Sequence, residues 1–217
     1  MIILGLTGSI GMGKSTAAAL FRQRGIPVFD ADACVHDLQK PDGIATRLIA
    51  TAFPGTVTRG RLDRVKLRTA VFASSAALQK LETLMHPLVR QAQQDWLRVQ
   101  SLQRRKLVVL DIPLLFEKGG WRGCDVTAVV TAPFHVQRAR VLARPGMTQD
   151  AFARILATQL PDAFKCAHAS FLIHSHRGKN ITLREIRHII RCTAQLSGHK
   201  YPAGRIGFAL PPRKRKP

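Results

Sequence analysis

The amino-acid sequence predicts an α/β fold, a three-layer sandwich built on a parallel five-stranded sheet. Three observations carry that prediction. Short apolar runs alternate with helical patterns along the chain. The first apolar run leads straight into a glycine-rich turn that opens a helix. Hydrophobic residues make up 46% of the 217 positions, enough to bury a core and to exclude wholesale disorder.

Residues 2–6 are a short apolar run, as expected of a strand covered on both faces. Residues 14–24 read as a helix, closed by Gly25 and followed by Pro27. Val28 and Phe29 make a second strand that ends at Asp30-Ala31-Asp32. Helical stretches follow, broken at Pro41-Asp42-Gly43 and at Pro54-Gly55. Residues 87–104 form a long helical pattern with Pro87 in its first turn, where a missing N–H is harmless. Residues 107–110 and 126–130 are the third and fourth strands. Residues 134–143 are a helix stopped by Arg144-Pro145-Gly146, and Thr148 caps the next, to about Gln159. Residues 171–173 are the fifth strand, and Thr182 caps a last helix to about Leu196. No internal repeat interrupts this order. Residues 1–197 are therefore expected to form the domain, and residues 198–217, ending in PPRKRKP, a basic mobile tail.

Charge narrows the partners. Against 34 Lys and Arg stand 13 Asp and Glu, a formal net charge of +21. Such a surface attracts nucleotides, nucleic acid and acidic membrane alike, so charge alone does not choose between them. The excess is uneven: residues 163–217 hold 12 Lys and Arg and one acid, Glu185. A nucleic-acid reader needs a stacking surface or a groove-reading element, whereas aromatics here are 6% and the one basic cluster is terminal. No specific nucleic-acid partner is expected. The cysteines Cys34, Cys124, Cys166 and Cys192 lie at least 26 positions apart, which gives no zinc spacing and reads as scattered reduced thiols. The opening MIILGLTGS lacks the basic region of a signal peptide, and no apolar run approaches the ~18 residues of a membrane span. The expectation is a soluble, cytoplasmic protein with no membrane partner.

The chemistry is carried by residues 8–15, GSIGMGKS, which fit GxxxxGK[ST] at Gly8, Gly13, Lys14 and Ser15. A loop that wraps a phosphate must turn its N–H groups inward, and glycine allows that curvature without a Cβ clash. The helix that follows aims its N-terminus at the same anion. Lys14 reaches the β- and γ-phosphates as a point charge, and the Ser15 hydroxyl can ligate Mg²⁺. The fold is thereby of the P-loop NTPase type, with ATP and Mg²⁺ as cofactors. The expected nucleotide contacts are Gly8, Gly11, Met12, Gly13, Lys14, Ser15 and Thr16, although the pattern itself asks nothing of Gly5 or Gly11.

Other candidates surround this loop. Asp30 and Asp32 lie at the carboxyl end of the second strand, where open α/β sheets place their ligand crevice. A carboxylate there can take the proton of an attacking hydroxyl, or it can simply cap the helix that begins near Ala33. Asp111 follows the run LVVL, either as a Walker B acid holding Mg²⁺ through water or as a strand-end residue in a turn. Arg138 and Arg144 flank a helix end, where they can clamp a transferring phosphoryl group or lie solvated on a basic surface. His86 is a ligand contact or a helix-capping residue. The eight histidines form no metal-ligand pattern, and no GxSxG is present.

These segments together resemble the dephospho-coenzyme A kinase family. LTGSIGMGKST is similar to that family's P-loop, VFDADACVHDL to its second-strand motif, and DIPLLFE to its third strand and loop. GRLDRVKL and LETLMHPLVR, which contain Arg64 and His86, resemble its substrate-side helical region. Arg138, Arg144, Arg154, Gln159 and Lys165 resemble its lid and following helix. The resemblance implies a helical substrate-binding region over about residues 40–105 and a lid over 138–165. It also implies that Asp32 is the base, that Asp30 is its structural partner, and that Asp32, His86 and Arg64 face the acceptor. Two departures stand out. ASFLIHS places Ser170, His174 and Ser175 where the family usually has an acid and an Asn, and Arg144-Pro145 stands where it often has Arg-Asp. The implied reaction is transfer of the ATP γ-phosphoryl to the ribose 3′-hydroxyl of dephospho-coenzyme A. The rival readings are a P-loop kinase for a nucleoside, nucleotide or other small hydroxyl compound and, more remotely, a nucleic-acid-binding NTPase.

Overall fold

The computed structural model describes residues 1–72 and 74–201. Along the chain the elements are β1 (Ile2–Thr7), α1 (Lys14–Gln23), β2 (Val28–Asp30), α2 (Ala31–Leu38) and α3 (Ile44–Ala52), then β3 (Val57–Thr58), β4 (Arg61–Leu62), α4 (Arg64–Phe72) and α5 (Ser75–Leu102). They continue with β5 (Leu107–Asp111), β6 (Val126–Thr131), α6 (Phe134–Leu142), α7 (Gln149–Ala157), α8 (Asp162–Ala167), β7 (Phe171–His174) and α9 (Lys179–Thr193). The described residues divide into two compact units, one of residues 1–28 and 100–201, the other of residues 29–72 and 74–99.

In the first unit, β1 is buried at every residue and lies between β5 and β6. The sheet has five strands, as the apolar runs predict, in the order β2-β5-β1-β6-β7. Parallel register pairs Leu6 with Asp111, Thr7 with Val129, and Thr131 with His174. The carboxyl ends of β1, β5, β6 and β7 therefore open on one edge of the sheet, the edge where α/β folds bind ligands. Ala17, Ala18, Leu20 and Phe21 of α1 and Ile186 and Ile189 of α9 pack with Leu4, Leu6, Val109 and Val130 in one core. At the opposite edge, Asp125 accepts hydrogen bonds from the amides of Ile3, His199 and Lys200. The remainder of the predicted tail, residues 202–217, lies outside the described residues.

The second unit has its own core, in which Ala45, Ile49, Phe53, Leu67, Val71 and Met85 are buried. Two expectations for this chain are corrected. Pro87 is not in a first turn but inside α5, which begins at Ser75. The apolar side chains Leu81, Leu84, Met85 and Leu88 pack against one cluster on both sides of it. Their burial outweighs the ~3 kcal/mol that an interior proline costs a helix. Thr182 does not cap the last helix, because α9 starts at Lys179 after Gly178. Its hydroxyl instead donates to the carbonyls of His174 and Gly178, and this places Thr182 within the first turn. The hairpin β3–β4 and the short helix α8 were not expected. The hairpin turns through Arg59 and Gly60, both at positive φ, and a run this short has no period to betray it.

Candidate active site

The phosphate loop leaves β1 at its buried end and is shaped by three glycines. Gly8 passes so close to β6 that a Cβ would sit 2.7 Å from the Val130 carbonyl oxygen. Gly11 and Gly13 have φ of +77° and +88°, in the left-handed region that side chains avoid. Gly11, of which the motif asks nothing, is thus required twice over, since a Cβ there would also meet Val141 Cγ2 at 2.5 Å. Gly5 has a packing role as well: a Cβ would lie 2.7 Å from both Cys124 Sγ and Leu115 Cδ2. Gly13 is the N-cap of α1, whose first turn has no acid and no side-chain cap. A helix start of this kind presents its amide dipoles to an anion.

Lys14, Ser15 and Thr16 form the first turn of α1, with Ser15 and Thr16 exposed and Met12 buried. Lys14 Nζ lies 2.5 Å from Asp111 Oδ1 at the end of β5, with side-chain exposures of 17% and 3%. The pair sits at the carboxyl end of β5, beside the first turn of α1.

Polar side chains hold the loop in place. Gln137 Nε2 donates to the Ile10 carbonyl at 2.8 Å, and the Ile10 amide donates to Gln159 Oε1 at 3.2 Å. Arg140 donates to Ser175 Oγ at 2.8 Å, to the Ser175 carbonyl at 3.0 Å and to the Gly11 carbonyl at 3.5 Å. Lys165, with no exposed surface, bonds Ser9 Oγ and lies 3.3 Å from Glu117 Oε1.

The predicted arginines sit differently from Arg140. Arg138 and Arg144 are exposed, and Arg138 Nε donates to Gln149 Oε1 at 3.2 Å. Arg140 was missed by sequence reasoning. The signal was its place three residues after Gln137 and one before Val141, the two buried residues of α6, because a helical face repeats at three and four. Glu117 and Ser9 lie within the DIPLLFE and GSIGMGKS segments but were assigned no role there, and Gln137 had no sequence signal. At the unusual ASFLIHS stretch, Ser170 and Thr127 exchange amide–hydroxyl bonds, and His174 pairs with Glu185 at 2.8 Å. Ser175 sits beside Gly13, where a Cβ on the glycine would meet its side chain at 3.0 Å.

The second unit carries the other candidates. Asp30 is the N-cap of α2, its Oδ1 accepting the Ala33 amide at 2.9 Å. Asp32 is exposed in the first turn of the same helix. Arg64 opens α4 and lies 2.7 Å from His36 Nδ1, and His36 is one helical turn beyond Asp32 on the same face. His86 is exposed in the interior of α5, so the capping alternative does not apply to it. The described residues include no group of three or more His, Cys, Asp or Glu that could hold a metal alone. Among them no helix is long and apolar enough to cross a membrane.

The five-stranded sheet, the glycine-shaped loop at its open edge and the Lys14–Asp111 pair define a P-loop kinase. A family model described as dephospho-CoA kinase matches residues 2–180, and the chain belongs to that family. Curated relatives named dephospho-CoA kinase include one from Paramagnetospirillum magneticum, 56% identical over 76% of this chain and 78% of its own. Another, from Mesorhizobium japonicum, is 50% identical over 88% and 95% of the two chains. A crystal structure of a Thermus thermophilus protein, 36% identical, matches with a TM-score of 0.73 over 91% of this chain and 98% of that one. A dephospho-CoA kinase from Campylobacter jejuni, 22% identical, shares the fold with a TM-score of 0.65 over 87% and 95%.

Proposed function

We propose that this chain transfers the γ-phosphoryl group of ATP to the ribose 3′-hydroxyl of dephospho-coenzyme A, with Asp32 as the base. The activity is that of its family, an ATP-dependent phosphotransfer that completes coenzyme A synthesis. The observation that carries the reading is Lys14 at the start of α1, bound to Asp111 at the end of β5. Together they supply a cation for phosphate oxygens and an acid for a metal at one strand edge.

The proposed steps use the chain's own groups. The glycines of the loop and the amides at the α1 N-terminus hold the phosphates, and Lys14 meets charge that grows in the transition state. Asp32 orients the acceptor hydroxyl and takes its proton. Two facts support Asp32 over Asp30: the Asp30 carboxylate accepts the Ala33 amide, and Asp32 stands exposed one residue into the helix. Arg64 and His86 contact the acceptor, and Arg138 and Arg144 neutralise phosphoryl oxygens when the lid, residues 138–165, closes and excludes water.

Magnesium belongs to this reading as the partner of ATP. The Ser15 hydroxyl and the Asp111 carboxylate are both oxygen donors, the ligand type that Mg²⁺ takes. Bound there, Mg²⁺ supplies charge neutralisation to the β- and γ-phosphates. The cytoplasm is the proposed compartment.

The test is an acceptor panel of dephospho-coenzyme A, nucleosides and nucleotides, with the product's phosphate position read by ³¹P NMR. Coenzyme A carrying a 3′-phosphate is the expected product. Equal turnover on nucleosides, or a phosphate at another hydroxyl, overturns the assignment.

A further inference from the structure

The most unusual group outside the proposed chemistry is Lys165. Among the described residues it is the largest charged side chain with no exposed surface, and it bonds a hydroxyl of the phosphate loop. A buried ammonium persists only where its partners replace the water it has lost. Its partners here are Ser9 Oγ, at 2.5 Å, and Glu117 Oε1, at 3.3 Å. Ser9 is the second residue of the loop, between the glycine that presses on β6 and the apex at Ile10. Glu117 is 8% exposed, and the same Oε1 accepts the Leu160 amide at 3.0 Å, just past the end of α7. Its Oε2 is buried with no protein partner, so both bonds of this carboxylate fall on one oxygen.

We propose that Lys165 and Glu117 are positioning residues for the nucleotide. Lys165 fixes the curvature of the phosphate loop through Ser9, and Glu117 ties that curvature to the backbone at Leu160. Neither side chain need touch ATP. The loop's amides must all point at one anion, and a loop whose second residue drifts loses several of those contacts together. The same segment is fixed a second time beside this network, where Gln159 Oε1 takes the Ile10 amide. A movement of residues 159–160 is therefore transmitted to two consecutive residues of the loop, Ser9 and Ile10. Nucleotide affinity then depends on an interior ion pair, whereas the acceptor side does not.

This inference rests on the nucleotide reading of the loop, and one set of measurements separates the two. Equilibrium ADP binding and steady-state kinetics are compared for the parent, Ser9→Ala, Lys165→Met and the double variant. Ser9→Ala removes one hydroxyl and is the mild probe if Lys165→Met does not fold. The expected result is an ADP Kd raised about tenfold by either change, within the range of couplings between contacting residues. KM for dephospho-coenzyme A should stay at the parent value, and the double variant should be no worse than Lys165→Met. Parent-like affinity in Ser9→Ala overturns the proposal, as do additive losses in the cycle or an equal rise in the acceptor KM. Failure of the parent itself to bind ADP would instead overturn the reading of the loop.

Discussion

Lys14 Nζ lies 2.5 Å from Asp111 Oδ1, so the lysine of the phosphate loop is held by a carboxylate of the neighbouring strand. In the proposed mechanism, nucleotide phosphates at the loop would compete with Asp111 for this ammonium, and Mg²⁺ would give the carboxylate a new partner. Lys14→Ala is expected to raise KM for ATP and to lower kcat by about 10²–10³-fold, as loss of a charge-stabilising donor does. Asp111→Asn should raise the Mg²⁺ concentration needed for half-maximal turnover. An unchanged Mg²⁺ titration in that variant would mean that Asp111 only tethers Lys14.

Asp30 and Asp32 are separated by one residue and, in the proposed mechanism, by role. Asp32→Asn keeps the shape but removes most of the basicity, so kcat should fall ~10²–10⁴-fold with ATP affinity within a few-fold of the parent. Asp30→Ala removes the cap on the Ala33 amide and should cost about 1 kcal/mol of stability with kcat largely retained. Kinetics and thermal unfolding of both variants decide the matter. A dead, well-folded Asp30→Ala beside an active Asp32→Asn would reverse the assignment.

Gly5 and Gly11 should fail in different ways. Ala at Gly5 pushes a methyl into Cys124 and Leu115, both buried, and should cost about 1–3 kcal/mol of stability, read as a lower Tm. Ala at Gly11 must adopt φ near +77° against Val141, so the loop should distort and ADP binding weaken well beyond any loss of Tm. Equal effects of both substitutions on ADP affinity would contradict the separation of core from loop.

Cys124 sets an alkaline limit on stability. Burial pushes its thiol up from 9.0 to about 12; Asp125 adds to the rise, and Lys200 opposes it. Below the ordinary value both folded and unfolded chains keep the proton, and the thiol has no effect. Between 9.0 and about 12 the unfolded chain releases a proton that the folded chain retains, so stability falls as pH rises. The slope from this group approaches about 1.4 kcal/mol per pH unit. Urea unfolding at about pH 8 and pH 10 should show that part of the loss abolished in Cys124→Ala, because the residue no longer titrates. An identical loss in both proteins would assign the alkaline sensitivity to other groups.

What could be read from the sequence was local. The phosphate loop needs only glycines, a lysine and a hydroxyl in one short run, and buried parallel strands announce themselves as continuous apolar stretches. Pro87 misled because its effect on a helix is local, whereas the packing of Met85 and Leu88 that carries α5 through it is tertiary. Arg138 and Arg140 look alike in a basic helix, and only the face set by Gln137 and Val141 turns Arg140 to the loop. Lys165 and Ser9 are 156 positions apart, a pairing that no local pattern encodes.

The central claim is that ATP turnover here belongs to dephospho-coenzyme A. ADP release should be measured from the full chain with Mg²⁺-ATP, with and without dephospho-coenzyme A, and coenzyme A quantified in the same samples. The account predicts ADP release that depends on the acceptor, matched mole for mole by coenzyme A. ADP release at the same rate without the acceptor, or with it but without coenzyme A, would contradict it.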